Sequence, residues 1–456
     1  MTRKCHPERS EGSRLLENNE ILRFAQNDSR AVSFENLSII RICARYGIMT
    51  NKQAATEIIK RLQRKGYQSL LAGGCVRDML LGRRAKDYDV ATEARPKDVI
   101  RLFRRTLKVG AKFGVVIVLI DGQQVEVATF RTEADYADGR HPAAVEFAGA
   151  AEDASRRDFT INGMFYDPLK KQTIDYVNGQ TDLEKKILRT IGKPQERFAE
   201  DYLRMLRAVR FSTQLGFAIE PLTWRAVCSN SRNIARISGE RVAIEMEGIL
   251  VSPNRSAGAS MLIESGLAEA IFPGFAGEQA EFAVGVLGYL RKRVDLSLAL
   301  AAFFAGCKTE FALEECGVLK LSKAQNRHIK FLLANRGKLL NDRMSLAELK
   351  KVLAEPYFED LFELQAAIQK AQGGRKNMAP LIRLRKRIKA LGDVELRPRP
   401  LLNGYDLIRL GAVPGPALGQ LAQELYIAQL EGKLQTPQQA RCWVQKWLQG
   451  HRTDEN

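Results

Sequence analysis

The sequence predicts an α+β head followed by a long all-α remainder, and three observations predict it. Glycine, aspartate and β-branched residues concentrate between residues 67 and 180, where short apolar runs alternate with helical patterns. From residue 181 onward apolar residues recur at helical spacing, punctuated by Gly216 and Pro221 and later by Gly373-Gly374, Pro398, Pro400, Pro414 and Pro416. The length of 456 residues, at about 150 per domain, leaves room for roughly three domains. Residues 1–48 have no sustained period and are expected to be a disordered leader or a misplaced start. The expected order after them is a head over 49–180, a helical neck over 181–255, a helical body over 256–400 and a helical tail over 401–456.

Composition narrows the function. With 71 Lys and Arg against 53 Asp and Glu the chain carries a net charge of +18, which points to a polyanion such as nucleic acid or an anionic membrane surface. The longest apolar stretches, Val115 to Ile120 and Leu296 to Cys307, fall short of the ~20 residues a spanning helix needs. The seven cysteines, Cys5, Cys43, Cys75, Cys228, Cys307, Cys316 and Cys442, include no C-x-x-C pair. They suggest neither a disulfide framework nor a thiolate zinc site, and the expected compartment is the reducing cytoplasm. No two of the four histidines, His6, His141, His328 and His451, are close in sequence. Any metal is therefore expected to be held by oxygen, and no His-Asp phosphohydrolase pair is visible.

The elements follow in order. Met49-Thr50 opens an amphipathic helix, with Thr50 as N-cap and Ala54, Ile58, Ile59 and Leu62 on one face, so Met49 is a plausible internal start. Tyr67 to Ala72 reads as a strand running into Gly73-Gly74 and a helix that carries Arg77. Two glycines there let backbone amides approach a phosphate closely, and Arg77 adds charge. In Asp87-Tyr88-Asp89 the carboxylates at i and i+2 project to one side of an extended chain. Such a pair repels itself unless a cation lies between, which suits Mg²⁺ at a phosphoryl-transfer site.

Val115 to Ile120, Asp121-Gly122 and Gln123 to Phe130 read as a hairpin with a type I′ turn. Its return strand places Val125, Val127 and Thr129 on one face and Glu126 on the other, so Glu126 is available as a third carboxylate. Ser155 to Pro168, SRRDFTINGMFYDP, offers Arg157 for phosphate, Asp158 for a ribose hydroxyl and Asn162 to orient a sugar. Glu200 to Phe211, EDYLRMLRAVRF, reads as one helix on which Asp201 and Arg204 share a face, an acceptor and a donor able to read a nucleobase edge.

Taken together, LLAGGCVRDMLLGRRAKDYDVAT, VEVATFR, SRRDFTINGMFYDP, RTIGKPQERFAED and EDYLRMLRAVRF resemble the ordered motifs of the class II nucleotidyltransferases. These are the tRNA CCA-adding enzymes and bacterial poly(A) polymerases, and the resemblance covers about residues 49–255. It implies a polymerase β-like head with a mixed or antiparallel sheet, then a helical neck, body and tail. It implies that Asp87 and Asp89 bind two Mg²⁺ ions with Glu126 as third carboxylate. Gly73, Gly74 and Arg77 would hold the triphosphate, and Arg157, Asp158 and Asn162 would contact ribose and phosphate. Asp201 and Arg204 would select CTP or ATP, with Arg207 and Arg210 near phosphates or base. Glu240 and Arg241, in a segment resembling the motif that closes the neck, would support the nucleotide helix.

The activity so implied is template-independent addition of C, C and A to the tRNA 3′ end, with tRNA and nucleoside triphosphates as partners and no membrane or obligate protein partner evident. Leu401 to Leu448 resembles the tail of bacterial CCA-adding enzymes, with Gly404, Asp406 and Gly411 in one helical unit and Pro414-Gly415-Pro416 opening the next. Leu418, Leu421, Leu425 and Leu430 then form a helical stripe expected to be core. Val109 to Gly114, VGAKFG, is closer to the hairpin entry of some poly(A) polymerases, which keeps open an enzyme that uses ATP alone. The basic cluster Arg375, Lys376, Arg383, Arg385, Lys386, Arg387 and Lys389 is expected either to grip RNA backbone or to form a solvated face. Readings of another class are a noncatalytic RNA-binding protein and a nucleotide-binding regulator.

Overall fold

The computed structural model describes residues 49–108, 113–136, 142–341 and 343–451. The leader and Val109 to Lys112 of the hairpin entry lie outside them, as does His141. The described residues divide into two compact units, one of residues 49–135 and 142–180, the other of residue 136 and residues 181–451.

The first unit is built on a seven-stranded mixed sheet. Its strands are β1 (Ser69–Ala72), β2 (Asp89–Thr92), β3 (Thr106–Leu107), β4 (Val115–Ile120), β5 (Gln123–Thr129), β8 (Phe165–Asp167) and β9 (Gln172–Ile174), in the order β3-β4-β5-β2-β1-β8-β9. β6 (Arg131–Tyr136) and β7 (Pro142–Phe147) pair as a separate ribbon. β2 and β5 run parallel, with Val90 opposite Val127 and Thr92 opposite Thr129, while the other sheet neighbours are antiparallel. Asp121 and Gly122 both take positive φ, 45° and 76°, which is the type I′ geometry that closes β4 onto β5.

The two faces of this sheet are covered differently. Helix Asn51–Gln63 starts at a capping box in which Thr50 accepts from the Gln53 amide, and it buries Ala54, Ile58, Ile59 and Leu62. The helix packs on β1, β2 and β5. Leu70, Ala72, Ala91, Phe130, Ala150, Ala154 and Phe165 form a second cluster. Alternation along β5 buries Val125, Val127 and Thr129 and leaves Glu126 exposed, so the carboxylate stays outside the core.

The second unit is helical apart from one short departure from expectation. Ile187–Leu188 and Ala218–Ile219 pair as two-residue parallel strands, too short to show any period in sequence. Helix Leu296–Phe303, the start of the longest apolar stretch, is buried at all eight positions. It ends in a cluster where Phe303 and Phe304 meet Phe272 and Phe275 at centroid distances of 4.5 to 6.0 Å. That stretch is a core helix, and among the described residues no helix is long and apolar enough to cross a membrane. The stripe of helix Pro416–Leu430 is core as expected, with Leu421, Leu425 and Leu430 buried and Leu418 packed against them.

Ile59 is fully buried between helix Asn51–Gln63 and the sheet. Ile59→Ala should lower the head's unfolding free energy by about 2 to 5 kcal/mol, read from urea denaturation. A loss below about 0.5 kcal/mol, the size of a surface substitution, would contradict this packing.

Candidate active site

Three carboxylates meet at one end of the central strands. Asp89 opens β2, and the β2–β5 register of Val90 with Val127 places Asp89 level with Glu126 on the adjacent strand. Asp87 lies two residues upstream, in the connection before β2. Asp89 keeps solvent access at the strand end, but its carboxyl is crowded and its pKa is pushed up to about 6. Burial is the largest cause, then the charges of Glu126 and Asp87, with Arg157 opposing them. Beneath it the Cys75 thiol is pushed up to about 11, by burial and then by Asp89.

The donor set is all oxygen, and its mutual repulsion is what a hard cation relieves, so these residues fit Mg²⁺. Among the described residues only Asp295, His328 and Asp360 draw three ligand atoms within 4.8 Å of one another. Asp87, Asp89 and Glu126 are not drawn within that spacing.

An arginine network flanks the carboxylates. Gly73 takes φ 75° between β1 and helix Gly74–Leu80, and a Cβ there would lie 3.1 Å from Arg157 Nη1. Arg77 is 9% exposed and donates from Nη1 to Asn162 Oδ1 at 2.7 Å. Asn162, itself buried, donates to Asp158 Oδ1 at 3.3 Å. Of the residues expected in the head site, Asn162 thus links Arg77 directly to Asp158, and Arg157 stands beside Gly73.

Sequence reasoning missed the group that orders this network. Asp153 is 1% exposed and accepts from Arg156 Nε at 2.9 Å and from Arg157 Nη2 at 2.9 Å and Nε at 3.2 Å. It also accepts from the Arg131 amide at 3.3 Å. Its forked bond with Arg157 fixes that guanidinium over the Phe165 ring, 5.1 Å from the centroid. A single Asp in A-E-D-A-S carries no sequence signal of such a role.

The residues expected to select the base lie in the second unit, and one expectation about them needs correction. Glu200 to Phe211 is not one helix. Helix Pro194–Glu200 ends at Asp201, which is extended at φ −152°, ψ 105°, and a second helix runs Leu203–Leu215. Asp201 therefore precedes the helix that holds Arg204, and its Oδ1 accepts from the Leu203 amide at 3.1 Å, the local capping habit of Asp. Asp201 Oδ2 accepts from Arg241 Nη2 at 2.7 Å. Arg204 pairs with Glu200 and donates to the Arg197 carbonyl at 3.0 Å. Arg210 donates to the buried Glu245 at 2.5 Å, and Arg207 lies 3.9 Å from the same carboxylate. Glu200 and Glu245 were not singled out in the sequence, where each is one acid among many.

In the body, the basic cluster is mixed. Arg385 lies over the Phe362 ring and Arg387 donates to the Met344 carbonyl, while Lys376, Lys386 and Lys389 are exposed.

A mixed sheet with carboxylates on adjoining strands, beside a glycine turn and clamped arginines, has the layout of a nucleotidyl-transferring head. Residues 69–189 match the family described as poly A polymerase head domain, and residues 216–278 match a segment described as a probable RNA and SrmB-binding site of polymerase A. A CCA-adding enzyme of Lacticaseibacillus paracasei is 36% identical over 82% of this chain and 90% of its own length. One from Geobacillus stearothermophilus is 44% identical over 50% of this chain and 56% of its own. The crystal structure of the Bacillus stearothermophilus CCA-adding enzyme in complex with CTP is similar at a TM-score of 0.73, with 28% identity over 89% of this chain and all of that one. The Thermotoga maritima CCA-adding enzyme complexed with tRNA, at 21% identity and a TM-score of 0.63, shares the fold. The chain belongs to the CCA-adding enzyme family of nucleotidyltransferases.

Two outcomes follow from the geometry. Because the Asp89 pKa is raised to about 6, the folded state binds its proton more tightly than the unfolded chain does. The stability this carries is complete below pH ~4 and is lost as pH rises through about 6. Metal-free Asp89→Asn, which cannot ionise, should therefore melt above the wild type at pH 7.5 and equal to it near pH 4; a difference of the same size at both would refute the shift. Asp153→Ala would remove a buried acceptor shared by two half-buried arginines and should cost roughly 1.5 to 3 kcal/mol by denaturant titration. A cost under about 1 kcal/mol would show the clamp to be dispensable.

Proposed function

We propose that this chain adds the 3′-terminal C, C and A to tRNA, using CTP and ATP and releasing pyrophosphate. The observation that carries the reading is the register of β2 on β5, which sets Asp89 beside Glu126 with Asp87 upstream, in a chain of the CCA-adding family.

Asp87, Asp89 and Glu126 are assigned to hold Mg²⁺, which when bound neutralises charge on the triphosphate and makes the RNA 3′ hydroxyl a better nucleophile. The protein's own work is positioning. Arg157, oriented by Asp153, and the tight Gly73 turn are assigned to the triphosphate, with Gly74 beside them. Arg77 is held by Asn162, and Asp158 and Asn162 are assigned to the ribose side. Attack of the 3′ hydroxyl on the α-phosphorus forms the new phosphodiester bond as the bond to the pyrophosphate leaving group breaks, and no covalent enzyme intermediate is needed. The clamped guanidiniums stabilise the charge that builds on the phosphoryl oxygens without having to reorganise.

Base choice is assigned to Asp201 and Arg204. Each is tethered by protein partners, Asp201 by Arg241 and Arg204 by Glu200, so each offers hydrogen bonds from a defined position rather than from a floppy side chain. Arg207 and Arg210 are fixed against Glu245, which suits support of the reading helix. The +18 net charge favours a polyanionic acceptor, and the exposed lysines of the body are assigned to RNA backbone. An ATP-only enzyme is the second reading, favoured by the VGAKFG segment at residues 109–114.

Incorporation of labelled CTP and ATP on tRNA lacking CCA, tRNA ending in CC and an unstructured RNA tests the reading. The expected result is two C followed by one A on the first substrate. A added only to the CC end, or long A tails on any RNA, would overturn it. Asp87→Ala and Asp89→Ala should each lower transfer at least about a thousandfold while the protein stays folded, since each removes charge stabilisation that the transition state requires; retained activity would sink the metal assignment. Arg241→Ala should blur the C-to-A order more than it raises KM for the triphosphate, and an unchanged order would count against Asp201 as a reader of the base.

A further inference from the structure

The sequence keeps its histidines apart, yet the fold of the second unit brings His328 between two aspartates from distant segments. Asp295 caps helix Leu296–Phe303, His328 lies on helix Lys323–Ala334 and Asp360 on helix Phe358–Gly373. One imidazole nitrogen and one oxygen of each carboxylate lie within 4.8 Å of one another.

Each carboxylate is oriented by its other oxygen. Asp295 Oδ1 accepts from the Leu298 amide at 2.8 Å, and Asp360 Oδ1 accepts from Arg291. The two Oδ2 atoms are the ones beside the imidazole, at 3.6 Å from Nδ1 for Asp295 and 3.3 Å from Nε2 for Asp360. The ring is held by Tyr357, stacked at 4.0 Å and 13°.

Two features separate this arrangement from an ordinary ion-pair staple. His328 is 6% exposed, and its Nε2, although near Asp360, is buried with no hydrogen-bond partner. An imidazolium gripped by two carboxylates would draw them to about 2.7 to 2.9 Å. Ligand atoms around a common ion, each about 2.0 to 2.2 Å from it, stand about 3 to 3.6 Å apart; an ion would take one of the two imidazole nitrogens, beside which one carboxylate oxygen already stands at that spacing, with the other carboxylate oxygen within 4.8 Å. The charge also fits. Asp295, Asp360 and Glu363, whose Oε1 accepts from the Arg291 amide at 2.5 Å, are three acids facing two cations, Arg291 at Asp360 and Arg255 at Glu363.

We propose that Asp295, His328 and Asp360 form a binding site for a divalent transition-metal ion of the Zn²⁺ class, separate from the carboxylates of the head. One imidazole and two carboxylates suit Zn²⁺, Co²⁺ or Mn²⁺ better than Mg²⁺, which prefers oxygen alone. Asp295, with its side chain 56% exposed, gives the ion an entry path and leaves coordination positions to water. The bound ion would staple three helices of the body, a structural role that involves no step of nucleotide transfer.

The test is Co²⁺ titration of the untagged, chelator-treated full chain carrying Asp89→Ala, so that the head contributes as little as possible. Its readouts are the visible d–d absorption and the melting temperature, with Zn²⁺ as competitor. One equivalent should bind, raise the melting temperature and be displaced by Zn²⁺. His328→Ala should abolish the absorption band. Asp295→Asn keeps an oxygen for the Leu298 amide, so it should retain the metal-free melting temperature while weakening Co²⁺ at least about tenfold. In the otherwise wild-type chain it should leave CTP and ATP incorporation unchanged. The proposal is overturned if no band appears at millimolar Co²⁺, or if Asp295→Asn folds normally and binds Co²⁺ as tightly as its parent.

Discussion

The parallel pairing of β2 with β5 is the constraint on which the head depends. Every other neighbouring pair in the seven-stranded sheet is antiparallel, and this one sets Asp89 level with Glu126 on adjoining strands. Two carboxylates so placed, with Asp87 two residues upstream, cannot all ionise comfortably without a cation. The pKa of Asp89 is raised to about 6, by burial first and then by the charges of Glu126 and Asp87. The buried side chains beneath, among them Val90, Val125 and Val127, hold the register, so the strain cannot be relieved by slipping one strand. A slip of one residue would turn Glu126 into the core and Val127 out to solvent.

Within each unit the protein uses a buried or half-buried acid to fix an arginine. Asp153 holds Arg156 and Arg157, Glu200 holds Arg197 and Arg204, and Glu245 holds Arg210. A free guanidinium would lose rotamer entropy on meeting a triphosphate, whereas one already clamped has lost it during folding. Arginine suits this use because its planar fork can engage the orienting acid on one edge and still present the other.

Much of this was legible in the sequence. The N-cap at Thr50, the Asp-Gly hairpin, the alternation that exposes Glu126 and the leucine stripe of the tail all rest on interactions within a few residues, which spacing reports directly. Asp153 was not legible, because its partners are identified only once helix Ala150–Ser155 turns its acid inward. The junction at Asp201 was misread for a related reason. EDYLRMLR has helical spacing throughout, and only the extended backbone at Asp201 shows that a cap, not a turn of helix, comes first. The meeting of Asp295, His328 and Asp360 was invisible for the plainest reason, that three segments more than thirty residues apart in sequence meet only through tertiary packing.

The central claim is that strand pairing creates a carboxylate cluster that demands a cation, and Mn²⁺ binding measured by electron paramagnetic resonance addresses it most directly. The account predicts that wild-type protein with CTP binds Mn²⁺ tightly at pH 7.5, that the affinity falls as pH drops through about 6, and that Asp89→Asn and Glu126→Gln each remove this component. Equal Mn²⁺ binding by wild type and Asp89→Asn across that pH range would contradict it.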